Sequence, residues 1–105
     1  MNEISPAELS QRINGDKPPV LLDVREEWEL AMASLEEAVH IPMGQIPDRL
    51  AELDGDREIA VMCHHGVRSR QVVAFLKQSG FAHVINVAGG IDAWSRDVDS
   101  GVPEY

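Results

Sequence analysis

The chain has 105 residues, 44 % of them hydrophobic, which is enough for one modest core and predicts one domain over residues 1–105. Eighteen acidic residues against nine basic ones leave a net charge of −9, which argues against nonspecific nucleic-acid binding. No apolar run is long enough to span a membrane, the N-terminus has no signal-peptide pattern, and a single cysteine excludes an internal disulfide.

A lone free thiol suits a reducing compartment, so a cytoplasmic location is expected. Most of the acids read as a solvated surface. In chain order, Ser5-Pro6-Ala7-Glu8 is a helix start: Ser5 caps, Pro6 suits the first position, and Glu8 would complete a capping box. Leu9 and Ile13 share one face of that helix, and Gly15 stops it. Val20 to Val24 reads as a buried strand, and Glu27 to Ala33 as a short helix. Ala38 to Pro42 is a short strand closed by proline. Ile46, Leu50 and Leu53 have helical spacing, and Asp54-Gly55-Asp56 is a turn.

Ile59 to Met62 is a continuous apolar run, as in a strand covered on both faces. Cys63-His64-His65-Gly66-Val67 follows, and Arg68-Ser69 opens a helix that carries Val72, Val73, Phe75 and Leu76 and ends at Gly80. A further strand is expected at His83–Asn86, a turn at Gly89-Gly90, a helix over Ile91–Val98 with Trp94, and an irregular tail from Ser100. Alternating strands and helices imply a mainly parallel sheet covered on both faces, with sites at the C-terminal ends of its strands.

Cys63 occupies such an end. A helix N-terminus presents unpaired N–H groups and roughly half a positive charge, which favours a thiolate over a thiol. Arg68 adds a full charge and a planar donor fork, and Gly66 opens backbone angles closed to other residues. The stretch describes a cradle for an anionic sulfur.

These residues resemble a known family, the single-domain rhodaneses. Leu22-Asp23-Val24-Arg25-Glu26 with Trp28-Glu29 is similar to the family's early Asp-Val-Arg motif, and His40-Ile41-Pro42 to its Asn-Ile-Pro segment. Cys63 to Arg68 resembles the six-residue active-site loop, and Asn86 to Ile91 with Ala93-Trp94 the late Gly-Gly-x-x-x-Trp motif. Ala33 to Ala38 departs from the family, which usually carries Gly-His-Ile-Pro-Gly-Ala there. The resemblance implies a five-stranded, mainly parallel rhodanese-like sheet with helices on both faces. It implies a sulfurtransferase in which Cys63 is the nucleophile and carries a persulfide. The partners would be a small anionic sulfur donor such as thiosulfate and an acceptor, either cyanide, a thiol or a sulfur-accepting protein. The N–H groups of His64, His65, Gly66, Val67, Arg68 and Ser69 would hold the persulfide charge, with Arg68 drawing in the donor's anionic end. No cofactor is implied, and no nucleic-acid or membrane partner.

Plainer roles stand beside these. Cys63 could be an inert buried thiol. His64 and His65 could join Cys63 around a metal, but adjacent side chains rarely converge on one ion, so no metal is expected. Both could instead tune the loop's charge or lie at the solvent edge. His40 and His83 read as structural, and Trp28 and Trp94 as packing. Asp23 and Arg25 at a strand end more often fix backbone, with Arg25 a secondary candidate for anion contact. Two further function classes compete. Cysteine phosphatases and arsenate reductases share the loop position, but their Cys-x5-Arg loop is one residue longer than the one here. A non-catalytic rhodanese-like binding module is the other.

Overall fold

The computed structural model describes residues 2–105. Strands β1 (Glu3–Ile4), β2 (Val20–Asp23), β3 (Val39–His40), β4 (Ile59–Met62) and β5 (Val84–Val87) form one sheet. Helices α1 (Pro6–Ile13), α2 (Glu27–Met32), α3 (Val67–Gln78) and α4 (Gly90–Asp97) connect or flank them. The strand order is β1-β5-β4-β2-β3, and every neighbouring pair is parallel. β4 therefore lies at the centre, with Ile59 opposite both Val20 and Val84.

Successive side chains of β4 point to opposite faces, and each face has its own core. Ile59 and Val61 pack with Leu22, Val72, Val73 and Leu76, so α3 covers that side. Ala60 and Met62 pack with Leu9, Ile91 and Trp94 on the side of α1 and α4. This is why all four residues of β4 are apolar and buried. At roughly 25 cal/mol per Å² of buried apolar surface, such a strand is fixed in place by both layers at once.

Several local expectations differ from the structure. Ser5 caps α1 by accepting the Glu8 N–H at 3.2 Å, but the Glu8 carboxylate pairs with Arg12 at 3.0 Å and does not complete a capping box. The segment expected as a helix over Ile46–Leu53 forms two 3-10 turns, Met43–Asp48 and Leu50–Glu52. Pro47 lies inside the first and has no N–H to continue an α-helical ladder. β1 was not foreseen: two residues are too few to show a period, and it gains its place by pairing Glu3 with Asn86 and Ile4 with Val87. Among the described residues no helix is long and apolar enough to cross a membrane.

Candidate active site

β4 delivers Cys63 to the C-terminal edge of the sheet, between the first turns of α3 and α4. Gly66 caps α3 with φ of 103°, a left-handed conformation that favours glycine. This turns the chain so that N–H groups face inward. The Cys63 Sγ accepts the Gly66 N–H at 3.0 Å and the Ser69 N–H at 3.5 Å, and lies 3.4 Å from the Ser69 hydroxyl. Burial by itself would push the thiol up. The N–H groups of Ser69, Gly66 and His65 oppose it, and the Cys63 thiol is held below its ordinary range. The Ser69 hydroxyl donates in turn to the Asn86 Oδ1, while the Asn86 Nδ2 donates to Glu3 at 2.7 Å. Asn86 thus has a fixed orientation that points its oxygen at Ser69.

The glycine pair Gly89-Gly90 locks the loop from the other side. The Ile91 N–H donates to the Cys63 carbonyl at 2.9 Å and the Asp92 N–H to the His64 carbonyl at 3.1 Å. A Cβ on Gly90 would press into both of those carbonyl oxygens. Gly89-Gly90 therefore serves close approach as well as a left-handed turn.

Arg68 does not stand free. Its guanidinium forks onto the Glu29 carboxylate, Nη1 to Oε1 at 2.5 Å and Nη2 to Oε2 at 2.7 Å. The Glu29 side chain is 3 % exposed, and Arg68 holds its carboxyl down at about 2, against the opposing effect of burial. The Tyr105 hydroxyl donates to Glu29 at 2.7 Å and accepts from Arg25 at 2.9 Å. Burial, with Glu29 beside it, raises the Tyr105 phenol to about 12. Arg25, the secondary candidate for anion contact, is fully buried and serves the scaffold instead. Its guanidinium donates to Asp23 at 2.7 Å, to the Ala33 carbonyl at 2.8 Å and to Tyr105. The atypical 33–38 segment thus begins on an anchored carbonyl.

The histidines take different positions. The His64 ring stacks on Tyr105, with centroids 3.8 Å apart, and on His65 at 3.9 Å. Burial, followed by the neighbouring His65, lowers its pKa and keeps the ring neutral. His65 is largely exposed and lies 3.7 Å from Asp92. One ligating atom each from His64, His65 and Asp92 falls within a 4.8 Å cluster. Stacked rings aim their in-plane lone pairs side by side, which is poor geometry for one ion. His40 donates its Nε2–H to the Arg25 carbonyl at 2.6 Å, Trp94 is packed in the core, and Trp28 is exposed with its ring edge-on to Tyr105. Val67, at the start of α3, is also exposed.

Of the residues the sequence singles out, the structure gathers Cys63, His64, His65, Gly66, Val67, Arg68 and Ser69 in one loop and helix start and leaves Arg25 in the scaffold, and it adds Glu29, Asn86 and Tyr105, which the sequence did not single out as site residues. Glu29 carried a signal: it lies three residues after Glu26 and accepts its N–H at 3.1 Å, as an N3 residue does. Tyr105 carried none, because it is an isolated aromatic in an irregular tail.

A loop of this shape on a five-stranded parallel sheet has known counterparts. The pattern of the rhodanese-like domain matches residues 5–97. The chain belongs to the rhodanese-like family. It is 40 % identical to a sulfurtransferase of Allochromatium vinosum, over 91 % of this chain and 90 % of that one. It is 43 % identical to the putative sulfurtransferase YtwF of Bacillus subtilis, covering 92 % and 93 %. A rhodanese-like domain protein from Staphylococcus aureus superposes with a TM-score of 0.87 at 35 % identity, covering 100 % of this chain and 99 % of that one. These relatives support a sulfurtransferase activity for this rhodanese-like domain.

Proposed function

We propose that residues 1–105 act as one rhodanese domain that moves a sulfane sulfur through a persulfide on Cys63. The Cys63 thiolate attacks the outer sulfur of a donor, of which thiosulfate is the small inorganic example. A sulfur–sulfur bond forms to Sγ, the donor's own bond breaks, and sulfite leaves with the electron pair. A thiophilic acceptor, cyanide or a thiol, then takes the outer sulfur and returns the thiolate. Splitting the transfer in two replaces one difficult step with two easier ones. The observation that carries this reading is the pair of N–H groups, Gly66 and Ser69, directed at Sγ. Loop N–H groups from His64 to Ser69 would hold the terminal sulfur's charge in the manner of an oxyanion hole. A reducing compartment such as the cytoplasm would keep the thiol available.

The test is thiocyanate formation from a sulfane donor and cyanide. Wild type should form it and Cys63→Ser should not; equal rates in both would remove the mechanism. A second reading, a non-catalytic binding module, draws on one observation: Cys63 is 1 % exposed. A donor sulfur meets Sγ only when the loop gives way. A thiol that resists a mild alkylating agent at neutral pH would favour that module.

A further inference from the structure

The charge balance around Cys63 defines which donors the loop takes, and this inference rests on the sulfur-relay reading. The cation carried by the loop, Arg68, is held two-pronged by Glu29 at 2.5 and 2.7 Å. Glu29 is buried and ionised, so the two together contribute no net charge. The His64 ring beside them is neutral. Asp92, on the facing turn of α4, pairs with Arg96 and lies against His65. What faces Sγ is a set of amide dipoles able to hold one negative sulfur. Beyond the loop, the whole chain carries −9 and repels an incoming anion in proportion to its charge. Two apolar side chains are also exposed near the loop. Val67 is 64 % exposed on the helix side, and Trp28 is 65 % exposed beside the Tyr105 ring.

We propose that Glu29, by neutralising Arg68, makes this site selective for sulfane donors bearing at most one negative charge and a carbon substituent, an alkyl persulfide above all, over the thiosulfate dianion. The step balances: Cys63–S⁻ attacks the outer sulfur of R–S–SH, Cys63–S–SH forms, the donor's S–S bond breaks, and R–S⁻ leaves. No oxidant or reductant is needed. The carbon group R would rest against Val67 or Trp28.

Methanethiosulfonate and thiosulfate isolate the charge, since they deliver the same outer sulfur and differ by one methyl in place of one anionic oxygen. Loading of Cys63, followed by intact mass at matched concentrations, should favour methanethiosulfonate and a low-charge alkyl persulfide. Glu29→Gln keeps one acceptor oxygen, which can still take Arg68 Nη2 and the Tyr105 hydroxyl, and removes the charge. It should raise the thiosulfate loading efficiency about tenfold and that of the monoanion only about threefold, because a monoanion feels half the interaction. In the unaltered protein, thiosulfate loading should quicken as salt is added, because screening relieves repulsion. A thiosulfate rate that falls with salt would overturn the proposal, as would thiosulfate loading equal to methanethiosulfonate in wild type or an unchanged preference in Glu29→Gln. If no donor loads Cys63, the sulfur-relay reading fails first and this inference falls with it.

Discussion

Two helices of this fold begin on a left-handed glycine, α3 after Gly66 and α4 after Gly89. Their first turns have the same free amides and opposite employment. In α3 the Gly66 and Ser69 N–H groups face the Cys63 sulfur. In α4 the Ile91 and Asp92 N–H groups are taken up by the Cys63 and His64 carbonyls. One N-terminus is directed at the cysteine sulfur and the other is consumed in holding the loop that carries it. A helix N-terminus becomes a site only where the protein's own oxygens have not already filled it.

Substitutions can separate the two roles. The largest effect belongs to Cys63→Ser, which should lose sulfur transfer completely while its thermal unfolding stays within a few degrees of wild type. Gly90→Ala comes next, since its Cβ meets the Cys63 and His64 carbonyls. It should cost about 3 kcal/mol or more in urea unfolding and disorder the loop as well. Gly66→Ala strains a left-handed backbone and should cost less, about 1–2 kcal/mol. If Gly66→Ala proved the more damaging to stability, the division between the two turns would be wrong.

Arg68→Ala reads the charged pair that braces α3 against α2. Arg68 is 32 % exposed, so solvent screens the pair, and the loss should be about 1–3 kcal/mol, below that for a fully buried pair. The Glu29 carboxyl is held at about 2, below its ordinary 4.5. A depressed carboxyl stabilises the fold above its ordinary value and loses that contribution as pH falls through its folded value. Wild type should therefore lose stability between about pH 4.5 and pH 2, and Arg68→Ala should lose less over the same window. Equal slopes in the two proteins would remove the pair from the account.

Much of this site was legible because it is contiguous. The apolar run Ile59–Met62, the glycine at 66 and the helical spacing from Val72 to Leu76 all lie within one strand–loop–helix unit, and local pattern reports local structure. The charged support was not legible for the converse reason. Arg68 meets Glu29 across 39 residues and Tyr105 meets Glu29 across 76, so no spacing in the sequence announces either contact. Arg68 looked like a free cation because its partner lay on another helix. Arg25 looked available because its burial under Tyr105 and against the Ala33 carbonyl depends on the folded tail and the 33–38 loop. The 3-10 turns were misread where apolar spacing and Pro47 disagreed, and the missing N–H of proline decided the outcome.

The central claim is that the inward amides of the 63–69 loop stabilise a negative sulfur added to Cys63. Intact mass after incubation with a sulfane donor, before any acceptor is present, tests this most directly. The account predicts a gain of one sulfur atom that persists through buffer exchange, is removed by cyanide, and is absent in Cys63→Ser. A chain whose mass stays unchanged with thiosulfate, methanethiosulfonate and an alkyl persulfide alike would contradict it.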